Sequence, residues 1–274
     1  MRTQAEKAAA FRALHERPGA FIIPNPWEAG TARLLAGLGF EALATTSLGL
    51  TNMLGRADGT VTREEVIDNC RVIAEATDLP VNADLENCFA HEPEAASETI
   101  RLAAEAGIVG GSIEDFTGDP ANPIYDFDLA VARVRAAART AHALPVPFLL
   151  TARAENLIHE RTDMADTIRR LQAYEAAGAD VLYAPGLRNL DEVRQVVRAV
   201  NRPVNVVTGW LDPDITLAQL GEAGAKRVSV GGALSRRALA TFVNAARAMQ
   251  EHGSFAWMRD MIRVAELRKL FNPD

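Results

Sequence analysis

Charged side chains cluster where short apolar runs end. Asp84 and Glu86 close the run that starts at Val81, Glu114 and Asp115 close the run from Gly110, and Arg153 and Glu155 close the run from Phe148. If those ends share one mouth, carboxylates crowd together, and two of them about 4 Å apart repel by roughly 4 kcal/mol at an effective dielectric near 20. Such a cluster must hold protons or a cation. The ligands on offer are hard oxygens, and no histidine stands at these ends, which favours Mg2+ or Mn2+ over zinc. Asp84 and Glu86 lie two apart, so on a regular strand both point into the mouth. Arg153 beside these acids has the fork geometry that grips a substrate carboxylate. A duller alternative, in which the acids cap helices or pair with surface arginines, is not closed by spacing alone.

The elements that must position these groups follow from punctuation. Strand-like segments recur as FIIP (21–24), ALATTS (42–47), VNADLE (81–86), GGSIED (110–115), FLLTAR (148–153), VLYAPG (181–186), VNVVTG (204–209) and RVSVGG (227–232). Most are continuous apolar runs, as in parallel strands buried on both faces. Helical periodicity lies between them. Val66, Ile67, Cys70, Ile73 and Ala74 form one apolar face; Met164, Ile168 and Leu171 a second; Val193, Val196, Val197 and Val200 a third. Gly39, Gly107, Gly178 and Gly224 stand where helices stop, and Thr62 with Glu65, Asp163 with Asp166, and Asp214 or Thr216 where they begin. Eight strand–helix alternations predict a (β/α)8 TIM barrel, with its site at the C-terminal strand ends. The competing doubly wound sheet would carry G-x-G-x-x-G after its first strand, and none is present. The chain reads as a single barrel domain over 1–274, with a helical extension at about 234–270.

The bulk numbers narrow the partners. The 274 residues are 48% hydrophobic and 24% charged, with a net charge of −7 and no basic tract, so nucleic acid is not an expected partner. No apolar run approaches a membrane span, and Met1 to Arg17 lack a signal-peptide core, so no membrane is expected either. Two cysteines, Cys70 and Cys88, are too few for a disulfide framework. These features fit a cytoplasmic, reduced protein.

The motifs P-N-P-W-E-A (24–29), S-L-G-L (47–50), R-A-D-G (56–59), A-D-L-E (83–86), S-I-E-D (112–115) and T-A-R-A-E (151–155) appear in an order that resembles the isocitrate lyase/phosphoenolpyruvate mutase superfamily over roughly residues 20–235. The resemblance implies a barrel whose eighth helix is swapped between subunits, giving dimers or tetramers. It implies one Mg2+ (or Mn2+) held through acids matching Asp58, Asp84, Glu86 and Glu114, several of them through water. It further implies that a 2-oxo-acid carboxylate rests on the backbone of Ser47, Leu48 and Gly49, and that Arg153 reaches the substrate. Asn205 ends the seventh strand and Trp27 follows the first, which makes both candidate pocket walls.

Departures from the family pattern shape the expected chemistry. Family lyases carry K-[KR]-C-G-H after strand four, where this chain has Phe116-Thr117-Gly118-Asp119-Pro120-Ala121-Asn122-Pro123-Ile124-Tyr125. Isocitrate-type cleavage through that loop's cysteine is therefore not expected. Asn122 falls where the mutase type has an asparagine, and Tyr125 is a candidate lid residue. Glu86 stands where the family has an aspartate, and Ala184-Pro185-Gly186 where the lyases place a glutamate. His91 and His159, in loops past strands three and five, are candidate proton donors, although loop histidines usually face solvent. The expected function is Mg2+-dependent chemistry on a small 2-oxo acid through an enolate, with decarboxylation of an oxaloacetate-like acid the reaction that needs no base to begin. Lyases or phosphonate mutases and hydrolases with another acid/base, and a non-catalytic 2-oxo-acid-binding protein, are the rivals. Because Cys88 reads as a small filler with nothing basic placed to activate it, Cys88→Ser is expected to keep most of any activity. A loss beyond about a hundredfold, the scale of a lost acid/base group, would show that Cys88 does the proton transfer.

Overall fold

The computed structural model describes residues 2–272. Helix α1 (Gln4–Glu16) precedes the alternation. It runs β1 (Phe21–Ile23), α2 (Ala29–Gly37), β2 (Leu43–Ala44), α3 (Ser47–Met53), α4 (Arg63–Glu75), β3 (Val81–Ala83), α5 (Pro93–Glu105), β4 (Gly110–Glu114) and α6 (Phe127–Ala143). It continues through β5 (Leu149–Arg153), α7 (Met164–Ala176), β6 (Val181–Tyr183), α8 (Leu190–Ala199), β7 (Val204–Val207), α9 (Leu217–Glu222) and β8 (Arg227–Ser229), then α10 (Ala233–His252) and α11 (Val264–Phe271). All eight strands expected from the sequence form.

Every strand pair is parallel, and the order β1-β8-β7-β6-β5-β4-β3-β2 wraps the sheet around so that Phe21 faces Arg227. The remaining seam, between β1 and β2, is bridged by the Ala44 N–H donating to the Pro24 carbonyl at 3.0 Å. An open doubly wound sheet would leave two free edges, so the fold is a (β/α)8 barrel.

The helices that press on this sheet follow their sequence periods, with one instructive exception. α4 buries Val66, Ile67, Cys70, Ile73 and Ala74, and Thr62 caps it in a reciprocal pair with Glu65. α7 was expected to bury Met164, Ile168 and Leu171, but its buried residues are Thr167, Arg170, Leu171 and Tyr174. The face rotates because Asp115, at the end of β4, draws in the Arg170 guanidinium at 3.1 Å and the Tyr174 hydroxyl at 2.5 Å. A buried carboxylate needs such partners more than an apolar face needs another methylene. α7 then stops at Gly178, whose φ of 108° lies in the region that favours glycine.

The N-terminal end of the barrel is sealed. Phe11 and Leu14 of α1 pack into a cluster with Phe21, Ala42 and Val109, which sit at or just before the starts of β1, β2 and β4. Phe11 comes so close to β4 that a Cβ on Gly110 would lie 2.8 Å from its ring. At the other end of the chain, α10 buries only Ser235 and leaves Phe242 71% exposed, with Leu234, Leu239, Val243 and Met249 also open. α11 returns to pack on α2. Among the described residues, no helix is long and apolar enough to cross a membrane.

Phe11 is fully buried, so Phe11→Ala is expected to cost about 3–5 kcal/mol, read as a lower denaturation midpoint. A change under about 1 kcal/mol would show that α1 is not part of the barrel floor.

Candidate active site

The strand ends open into a cavity of about 610 Å3. Asp58, Asp84, Glu86, Glu114, Arg153 and Glu155 face it together with Ser47, Leu48 and Asn205. Most of the residues that the sequence singled out therefore meet at one place.

Strand alternation sorts the acids. Glu114 and Asp115 are neighbours, so their side chains leave β4 in opposite directions. Glu114 enters the cavity, and Asp115 turns outward to Arg170 and Tyr174 while also accepting the Glu155 N–H at 2.7 Å. Arg153, one strand over, sets its guanidinium among the inward acids. It lies 3.0 Å from Asp84, 3.3 Å from Glu114 and 2.8 Å from Glu155, and its carbon sits 4.7 Å from the centre of the Tyr183 ring. Asp84 and Glu86 do share the mouth, but not through the regular strand that their spacing suggested. β3 ends at Ala83, and Glu86 stands in a turn with φ of 48°. That left-handed backbone is strained for a side-chain-bearing residue.

Arg153 does not balance these acids, although Arg227 and Arg236 also line the cavity. Burial, then Arg153 in opposition, then Glu155 and Asp84 act on Glu114, with the net result that its carboxyl titrates well above the ordinary range. Burial and the neighbouring Asp84 raise Asp58. Burial, Asp84 and Asp58 push Glu86 up to about 8, and burial pushes Glu155 up to about 7. Glu86 Oε1 is buried without a hydrogen-bond partner. An orphaned carboxylate oxygen among like charges is what a bound divalent cation would relieve, so the residues fit such an ion. Among the described residues, no three carboxylate, imidazole or thiol groups form a ready-made cage. Mg2+, which keeps several of its waters, does not require one.

Other sequence candidates are placed elsewhere. Asn122 is exposed in the loop after β4, its amide donating to Asp119 at 3.3 Å. Local hydrogen bonds curl that loop on itself, including Thr117 Oγ1 donating to the Asn122 carbonyl at 2.7 Å, and keep Asn122 out of the cavity wall. Tyr125 is buried rather than poised as a lid. Its hydroxyl lies 2.6 Å from His91 Nδ1, and its ring lies 4.2 Å from the Arg133 guanidinium carbon. The Ser47–Gly49 backbone is partly engaged within the chain. The Ser47 N–H donates to Asp84 at 3.1 Å, and the Gly49 N–H donates to Thr46, which caps α3. Trp27 packs behind Gly49, where a Cβ would meet it at 2.8 Å. Asn205 is in the wall, holding the Arg227 Nε at 2.8 Å and donating to Ser229 at 3.1 Å. Cys88 is fully buried, and burial raises its thiol to about 12, consistent with filler.

Sequence reasoning gave too little weight to Glu155 and His159 and passed over Arg227. Glu155 carried a signal, since it lies two residues after Arg153. Arg227 carried none, because it begins a strand instead of ending one.

The fold and the ring of acids define a barrel with a charged cavity at its strand ends, where barrel enzymes place their active sites. A family model described as phosphoenolpyruvate phosphomutase matches residues 11–250, and the chain belongs to that family, within the isocitrate lyase/PEP mutase superfamily. It is an enzyme of the lyase type found there. A crystal structure of a lyase/mutase candidate from Burkholderia cenocepacia J2315 superposes with a TM-score of 0.95 at 54% identity, covering 99% of this chain and 98% of that one. The 2-methylisocitrate lyase of Escherichia coli (strain K12) is 30% identical, covering 78% of this chain and 74% of its own length. The oxaloacetate decarboxylase of Pseudomonas savastanoi pv. phaseolicola is 29% identical, with 81% and 77% covered.

A carboxyl at Glu86 titrating near 8 against an ordinary 4.5 means that the folded chain holds a proton there that the unfolded chain has lost. In metal-free protein that contribution to stability is present at low pH and is lost as pH rises through about 8. A cation competes with the same proton, so the Mg2+-induced rise in melting temperature should grow from about pH 6 to about pH 8. Glu86→Gln should flatten that growth. Equal Mg2+ shifts at both pH values in the unaltered protein would show that Glu86 is not where the ion binds.

Proposed function

We propose that the chain is a divalent-metal-dependent lyase that breaks the C3–C4 bond of a small 3-carboxy-2-oxo acid of the oxaloacetate type. The observation that carries this reading is the set of inward acids, Asp58, Asp84, Glu86, Glu114 and Glu155, three of which the Arg153 guanidinium pairs. Asp58, Asp84, Glu86 and Glu114 would hold the metal, Mg2+ or Mn2+. The chemistry supplied by an ion at that spot is polarisation of the substrate's 2-oxo carbonyl. Arg153 then serves as the fixed counter-charge for the negative charge that develops on the substrate, held in place by Asp84, Glu114 and Glu155. Ser47 and Leu48 line the side where the substrate's carboxylate would rest, next to Asp84.

Decarboxylation is favoured over aldol-type cleavage by the loop after β4. Aldol-type cleavage starts with removal of a hydroxyl proton, and that loop carries no cysteine, lysine or histidine and turns Asn122 to solvent. In decarboxylation the C3–C4 bond breaks first. Its electron pair moves to the enolate, CO2 leaves, and a proton is needed only afterwards. The similarity to an oxaloacetate decarboxylase agrees with this reading. The reading extends to assembly: a homo-oligomer, dimer or tetramer, in which the exposed apolar face of α10 around Phe242 is covered by a second copy.

Purified protein with Mg2+ is expected to release pyruvate from oxaloacetate well above the rate of Mg2+ alone, to stop with chelator, and to form no glyoxylate from isocitrate. Asp84→Ala should lower the rate at least a hundredfold, about 2.7 kcal/mol of barrier, with the fold retained by circular dichroism. A rate equal to the metal blank, or brisk glyoxylate formation, rejects this reading. Phosphate release from phosphonopyruvate in place of pyruvate from oxaloacetate would move the activity to P–C bonds.

A further inference from the structure

The raised carboxyls in the cavity are given to the metal or held by Arg153, so the proton that ends a decarboxylation calls for a further group. The loop after β4 offers none, Tyr125 is buried away from the cavity, and Cys88 is sealed in the core. The loop after β5 turns an imidazole toward the cavity instead. A short 3-10 turn (Asn156–Ile158) follows Glu155 and brings His159 round into the cavity wall beside Phe116, Ile158 and Glu155. The imidazole lies flat on the Phe116 ring, with centroids 4.3 Å apart and planes 6° apart, which fixes its orientation without using either nitrogen. Its Nε2 sits 4.0 Å from Glu155 Oε2, while Glu155 Oε1 takes the Arg153 Nε at 2.8 Å.

We propose that His159 is the proton-transfer residue of this site, exchanging a proton with C3 of the bound 2-oxo acid while Glu155 steadies its ring; this rests on the function proposed above. The geometry has the logic of a catalytic pair, an imidazole facing the reacting volume and a buried carboxylate behind it. A separation of 4.0 Å in a ligand-free site is compatible with a contact that shortens when substrate excludes water. Burial holds the imidazole below its ordinary range, so it is neutral near pH 7 and can accept a proton. Glu155 titrates near 7, so a proton can pass between the two.

The steps balance. After CO2 has left, the enolate electron pair at C3 takes the ring N–H proton of His159 while the Glu155 carboxyl passes its own proton to the other ring nitrogen, giving the methyl group of pyruvate, a neutral imidazole and a Glu155 carboxylate. Water at the mouth, where the His159 side chain remains 25% exposed, restores the proton. In reverse, neutral His159 removes a C3 proton from bound pyruvate, the C–H electrons pass into the enolate, and solvent exchanges the proton on the ring.

Deuterium incorporation into the pyruvate methyl group, followed by NMR in D2O with Mg2+, tests this directly. The unaltered protein should catalyse the exchange. His159→Gln and His159→Phe should slow it at least a hundredfold, while pyruvate affinity and the Mg2+-induced melting shift stay within about twofold. His159→Phe keeps a flat ring on Phe116, so a packing role predicts a working variant and a proton-transfer role a dead one. Added imidazole should restore part of the exchange in His159→Gln. Exchange within threefold of the unaltered protein in both variants overturns this assignment and leaves the proposed function standing. Absence of both exchange and oxaloacetate decarboxylation in the unaltered protein, with pyruvate still bound, overturns the two together.

Discussion

Arg153 sets one guanidinium against carboxylates reached from three neighbouring strand ends, Asp84 after β3, Glu114 on β4 and Glu155 after β5. Without that cation, like charges in a buried mouth would either take up protons or push the strand ends apart. With it, the mouth closes but remains short of positive charge, as the raised carboxyls of Glu86 and Asp58 record. On the function proposed above, a cation would make good that shortfall, and the cation would in turn draw an acid. The same arginine also holds Glu155, with His159 beyond it.

Behind the mouth, a second guanidinium does mechanical work. Arg133 of α6 is buried and donates to the backbone carbonyls of Asn87, Ala90 and His91, with the last bond at 2.6 Å. Those carbonyls belong to the segment after β3, where Glu86, Cys88 and Phe89 all have positive φ. Three charge-assisted bonds offset the conformational strain of that turn. The placement of Glu86 thus depends on a residue more than forty positions away, which nothing in the spacing of the acids reveals.

This explains how far the sequence could be read. Strands, caps and helix stops are set by local chemistry, so the barrel and the convergence of Asp58, Asp84, Glu86, Glu114 and Arg153 on one cavity were visible in order along the chain. The strand-period argument for Asp84 and Glu86 reached the right place for the wrong reason, because β3 ends at Ala83 and a strained turn takes over. Asn122 and Tyr125 were misplaced because loop conformation follows from hydrogen bonds within the loop and from partners such as His91 and Arg133. The buried face of α7 keeps Leu171, with Met164 packed on the core, but turns from Ile168 toward Arg170 and Tyr174 for a related reason: Asp115 recruits both across a long sequence separation. His159 looked like any loop histidine until a 3-10 turn and an aromatic neighbour gave it a direction.

The seal that α1 makes at the barrel floor has a consequence for traffic. With Phe11 and Leu14 packed under the strand starts, the cavity is a blind alley entered from the strand ends. On the function proposed above, substrate, CO2 and pyruvate would all pass through one doorway. A product anion lingering there would occupy the berth that the next substrate needs, and turnover would be a matter of queueing as much as of chemistry. The loops after β4 and β5, where Phe116 and His159 stack face to face, stand at that doorway.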